Sequence, residues 1–208
     1  DRRSAVESAL ASLSTSAVLE ELPDAVAEAD EDGLADLRLL LSRIAGAEPD
    51  AVVRLLEQSD VRDLAIAALQ DHLERLVPYL ASRVRDPRPA VVVTVVKLLA
   101  GTGGRRAAEI VAEAAAHPET RVRVEAVRAA ATMAEGHRVL QRALGDESEE
   151  VRLMALRSPV QALGPEIVRL LKERIASRDI TASSFLEKRE LFHALARAGG
   201  HDRVPFLA

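Results

Sequence analysis

A chain of 208 residues is long enough for one ordinary domain or two small ones and can bury a core of its own. Its 48% hydrophobic and 29% charged residues are globular composition, but its few rings (Tyr79, Phe185, Phe192 and Phe206, no Trp) cannot furnish a platform on which bases or sugars stack. The lack of Cys excludes disulfides, thiolate metal sites and cysteine nucleophiles, and the net charge of −5 is unevenly spread. Residues 1–60 carry 14 acidic and 5 basic side chains, net −9, whereas residues 61–208 carry 19 and 23, net +4. A chain so polarised can orient charged partners or copies of itself.

The chain opens on Asp1 and stops on the apolar Phe206-Leu207-Ala208, which sets the expectation of a fragment of a longer protein. No charged, apolar and cleavage-site triplet marks a leader. The longest apolar stretch, from Pro89 to Gly101, is broken by Thr94 and Lys97 and is too short to span a bilayer, so no membrane contact is expected and a cytoplasmic location is the default. The early acidity sits in Glu20, Glu21, Asp24, Glu28, Asp30, Glu31, Asp32 and Asp36. These residues belong to a degenerate unit within residues 1–49 that suits a polar cap.

From residue 50 to 208 a phrase recurs: an acidic turn, Val-Arg, then an Ala- and Leu-rich segment. Its anchors are Val61, Val91, Val122 and Val151, at a spacing near 30 residues, and a fifth copy aligns at Glu187. The extra length before Glu187 falls in the polar stretch 177–184, read as an enlarged turn. Positions 0, 4, 5 and 8 from the anchor are apolar: Val61, Ala65, Ile66 and Leu69; Val91, Val95, Val96 and Leu99; Val122, Ala126, Val127 and Ala130; Val151, Ala155 and Leu156. That spacing makes one buried stripe on a helix, the second of each unit. The first helices are expected at 52–56, 73–84, 107–115, 139–144 and 167–175. Residues 91–96 favour a strand on β-branched content, but their register with the other copies predicts a helix. Pro49, Pro87, Pro118 and Pro165 sit at turns or helix starts, Pro159 should end a second helix near Ser158, and Pro78 should bend a first helix.

The Asp-x-x-x-x-Val-Arg-x-x-Ala phrase in paired helices resembles bacterial HEAT repeats, of the HEAT-like type also found in phycobilin lyases. The resemblance implies an all-α, right-handed α-solenoid of stacked antiparallel helix pairs, a single domain over residues 1–208 with second helices lining the concave side. It also implies that Arg62, Arg123 and Arg152 bond acidic turns of neighbouring units, Asp86 and Asp146 standing in such turns. These arginines are therefore read as a structural ladder.

Sites for chemistry are sparse. Gly101-Thr102-Gly103-Gly104-Arg105-Arg106 lacks the Gly-Lys-Ser/Thr ending of a phosphate loop and recurs with the repeat at residues 197–201, so it reads as a connection. The His residues (72, 117, 137, 193, 201) share no helix face at ligand spacing, and Glu190-x-x-His193 is half of a di-iron pattern without its second copy. No Gly-x-Ser-x-Gly appears. No catalytic residue, metal or cofactor is assigned, and the chain is expected not to be an enzyme. The sixth residue after each anchor is Ala67, Lys97, Arg128, Arg157 and His193, off the apolar stripe. Lys97, Arg128, Arg157 and His193 are taken as a row that binds a protein or peptide partner with an acidic segment. Val93, Val124, Leu153 and Met154 lie beside it, while Glu125 and Glu190, each three residues upstream of a member, offer plain intrahelical pairing instead. The expectation is a non-catalytic interaction scaffold. A nucleic-acid-binding solenoid is the alternative, since residues 61–208 are net basic. A HEAT-type lyase or DNA glycosylase is disfavoured, because no separate residue set supports lyase chemistry and a base-binding face needs rings. The apolar residues 204–208 suggest self-association through that end.

Overall fold

The computed structural model describes residues 15–102, 104–159, 166–177, 181 and 183–199, which are helical throughout apart from turns and short loops, with no strand among them. Among these residues no helix is long and apolar enough to cross a membrane. The chain divides into two compact units, Asp1–Arg83 and Val84–Ala208.

The first unit holds α1 (Thr15–Glu20), α2 (Leu22–Glu28), α3 (Glu31–Ala47), α4 (Pro49–Arg54), α5 (Arg62–Leu69) and α6 (Leu73–Arg83), with 3-10 turns at Leu55–Glu57 and Gln70–His72. Asp30 starts α3 by accepting a hydrogen bond from the Gly33 N–H at 2.9 Å, and Glu31 and Asp32 lie in the first turn, where the helix dipole favours negative charge. Pro49 opens α4, a position at which its missing N–H costs nothing. Helix α3 packs on α4 and α5, and α4 packs on α6. Leu41, Leu56, Val61, Leu69, Leu76 and Leu80 are completely buried among these helices. Of the expected stripe in α5, Val61, Ala65 and Leu69 are buried and Ile66 is half-buried. Pro78 lies within α6 on an exposed position.

The second unit holds α7 (Pro89–Ala100), α8 (Gly104–Ala114), α9 (Thr120–Ala130), α10 (His137–Ala143), α11 (Glu149–Arg157), α12 (Ile167–Ala176) and α13 (Phe185–Gly199). Helices α7, α9, α11 and α13 each pack on the next, forming one row. Helix α8 packs on α7 and α9, α10 on α9 and α11, and α12 on α13. The row consists of the expected second helices, and the helices beside it coincide with the expected first helices. All eleven stripe residues named for α7, α9 and α11 are no more than 2% exposed. Burial therefore fixes which face of each helix turns inward.

Residues 91–96 are helical, as the register requires and propensity alone does not. Val91, Val92, Val95, Val96, Leu98 and Leu99 are buried in α7. At roughly 1.5–3 kcal/mol for each buried aliphatic side chain, they outweigh a helix deficit of roughly 0.5 kcal/mol per β-branched residue. Helix α11 stops at Arg157, and Ser158 is extended at ψ 153°, the conformation forced on a residue that precedes proline. The Ser158 hydroxyl donates to the Met154 carbonyl at 3.0 Å, occupying an acceptor in the last turn. The gap between α12 and α13 matches the expected enlarged turn, of which residues 178–180 and 182 lie outside the described residues, as do Pro165 and 204–208.

Candidate binding face

Arginines tie two of the three junctions in the row of second helices, α9 to the turn before α11 and α11 to α13. Arg123 on α9 is 6% exposed and grips both oxygens of Asp146 in the following turn, through Nε and Nη2 at 3.0 Å each. Its Nη1 donates to the carbonyls of His117 and Pro118 in its own turn, at 3.0 and 2.8 Å. One planar guanidinium thus ties two successive turns together, a geometry no Lys reproduces. The Asp146 hydrogen bond raises the Arg123 pKa above its usual value.

Arg152 repeats the pattern with a different partner. Its Nη1 donates to the carbonyls of Asp146 and Glu147, while Nε and Nη2 grip Glu187 of α13 at 2.7 Å each. Glu187 occupies the slot filled by Val in the other four units and is 2% exposed. The Arg152 hydrogen bond holds the Glu187 carboxyl below the usual carboxylate range, Arg174 of α12 adding to the effect at 3.4 Å. Arg62 donates instead to the Leu56 and Glu57 carbonyls of its own turn, at 2.8 and 3.5 Å. The ladder reading thus holds for Arg123 with Asp146. For Arg152 the acidic partner is the next anchor and not a turn Asp.

Off the buried stripe, the second helices present charge. Lys97, Arg128, Arg157 and His193 are all exposed and stand at one register on α7, α9, α11 and α13, the four helices that pack in sequence. Lys97 has no ion pair among the described residues. Arg128, with 55% of its side chain exposed, donates from Nη1 to Glu125 at 2.7 Å. Arg157, 50% exposed, approaches Glu190 of α13 at 3.6 Å. Glu190 also accepts from Arg189 at 3.0 Å, and that hydrogen bond, with the nearby Arg157 guanidinium, holds its carboxyl below the usual carboxylate range.

Two features of this face were not foreseen. Arg189 adds a further cation, and the paired carboxylates Glu125 and Glu190 are buried to 9% and 8% exposure between the cations instead of lying in solvent. The plain intrahelical alternative is met for Arg128, whereas Glu190 is bonded by Arg189 and reached by Arg157 from the neighbouring helix. Val93, Leu153 and Met154 are half-buried and Val124 is buried, so the face has apolar ground between its charges. Ala67 breaks the column in the first unit. The glycine-rich connection keeps its two arginines for itself: Arg105 and Arg106 both pair with Glu109 of α8, at 3.2 and 3.0 Å. Gly104 at its end has φ +81°, a backbone that side-chain-bearing residues rarely adopt.

No family model and no curated protein matches the chain. Among solved structures, it is similar to two crystal structures of engineered proteins. One is 19% identical with a TM-score of 0.45, covering 86% of this chain and 96% of that one. The other is 18% identical with the same TM-score, covering 81% of this chain and 53% of that one.

Proposed function

We propose that this chain is a HEAT-like α-solenoid serving as a non-catalytic scaffold, which binds an acidic protein segment along Lys97, Arg128, Arg157 and His193. The supporting observation is positional: four exposed cationic or titratable residues at one register on four helices that pack in sequence. Apolar side chains between them add contact area, and charge complementarity speeds encounter and sets register. Because Glu125 and Glu190 lie in the same face, a partner must meet spaced cations and avoid the carboxylates between them. This favours a peptide over a continuous phosphate backbone.

The test is fluorescence anisotropy of a labelled Glu-rich peptide at low salt against wild type and a K97E/R128E/R157E variant with an unchanged helical spectrum. Each exposed ion pair is worth about 0.5 kcal/mol, and a charge reversal adds repulsion, so we expect a loss of about tenfold or more. Equal binding by both proteins would remove the row from the function. The nucleic-acid reading rests on the second unit's 20 basic against 16 acidic residues. It gains ground only if a random duplex binds with a steep dependence of affinity on salt.

A further inference from the structure

The first unit carries 17 acidic and 8 basic residues, and from Ser4 to Leu37 it has no basic residue at all. All eight carboxylates between Glu20 and Asp36 are exposed, and none has an ion pair among the described residues. Elsewhere carboxylates are widely engaged by arginines, as at Glu57, Glu109, Asp146, Glu187 and Glu190. The acidic band also carries apolar surface, since Leu34 and Leu39 on α3 are 36% and 46% exposed. This is the inverse of the face on the second unit, where cations flank the half-buried Val93, Leu153 and Met154.

We infer that the acidic segment bound by the row is residues 20–36, from the end of α1 to the first half of α3, of a second copy of this chain. The inference rests on the binding role proposed for the row and names its occupant. The two faces differ, so the contact is heterologous and propagates head to tail, either closing into a ring or extending as an open chain. It is mainly electrostatic between exposed groups and is therefore weak and salt-sensitive. A charged face meeting its opposite also discourages the like-to-like contacts of two acidic or two basic faces.

The test is sedimentation velocity of the full chain from about 5 to about 500 µM, in about 20 mM and about 300 mM salt. At low salt the weight-average mass should rise with concentration from 22.4 kDa to roughly twice that or more, and fall back at high salt. Two variants with unchanged helical spectra locate the contact: K97E/R128E/R157E on the row, and E20K/E28K/D36K on the acidic face. Each alone should stay monomeric, whereas their mixture should associate, since the second supplies an intact row and a reversed acidic face that matches the reversed row of the first. A wild-type mass fixed at 22.4 kDa at low salt would overturn the inference, as would a mixture that stays monomeric. Monomeric wild type that still binds the Glu-rich peptide would overturn this occupant alone. Neither self-association nor peptide binding would take down both this inference and the role of the row.

Discussion

The two units spend their charge differently. In the first, carboxylates outnumber cations about two to one and largely face solvent, while helix contacts depend on apolar packing with a few polar links. Ser42 bonds His72 at 3.1 Å, Arg75 donates to the Gly46 carbonyl at 3.3 Å, and Arg83 pairs with Glu57. In the second, Arg123 and Arg152 carry charge into the junctions between successive helices; Arg123 is itself buried, and Glu187, the partner of Arg152, is almost out of water. Exposed charge contributes little to stability but much to recognition. Buried charge weighs the other way: the helices around it depend on its being matched.

The largest expected effect follows from breaking a buried pair. Arg152→Ala leaves Glu187 with Arg174 as its remaining cation, and we predict a loss of about 3 kcal/mol in urea unfolding. A double change, Arg152→Leu with Glu187→Val, restores the apolar anchor of the other units and should return to within about 1 kcal/mol of wild type. A single variant as stable as wild type would erase the contrast between the units. Arg123→Ala should cost about 2 kcal/mol, because Asp146 and two turn carbonyls lose their donor together. By comparison, Arg75→Ala in the first unit should cost no more than about 0.5 kcal/mol in the same assay.

Acid sharpens the comparison further. Glu187 has a folded pKa below its unfolded one, so its contribution to stability is complete above the ordinary glutamate pKa. That contribution is lost as pH falls through the depressed folded value. We expect amides of α13 to lose hydrogen-exchange protection on acidification below about pH 4.5, ahead of those in α7 and α9. Uniform loss of protection across the second unit would show that the Glu187 junction is not special. The smallest effect is expected at Lys97→Ala, within about 0.5 kcal/mol of wild-type stability, since Lys97 is exposed and pairs with nothing among the described residues.

Much of the helical layout was legible in the sequence because it depends on periodicity. The anchor spacing located the second helices, and position within the stripe separated the buried Val95 and Val96 from the exposed Lys97. Partner choice was less legible. The Arg123–Asp146 pair follows from a recurring phrase, but Arg152 reaching Glu187 depends on the change from a Val anchor to Glu, and the residue five before Glu187 is Ala182. A carboxylate at an otherwise apolar position was the available signal, since a buried charge demands a partner. The buried placement of Glu125 and Glu190 was hidden for another reason. Both lie three residues after positions that face the core or its edge, and a glutamate on a helix reads the same whether its neighbour helix covers it or not.

Helix α7 has a consequence for how the chain is made. Residues 91–96 form an uncharged run rich in valine, with no proline inside it, and they hold a helix because α8 and α9 cover them. During synthesis this run leaves the ribosome before α9 has emerged to cover it. Over that interval it carries the signature of a segment that stacks into cross-β assemblies. The flanking Arg85, Asp86 and Arg88 before it, and Lys97 and Arg105 after it, are the residues that discourage such stacking. A chain truncated before Thr120 is therefore expected to aggregate on expression, although every residue of α7 would be present and correct.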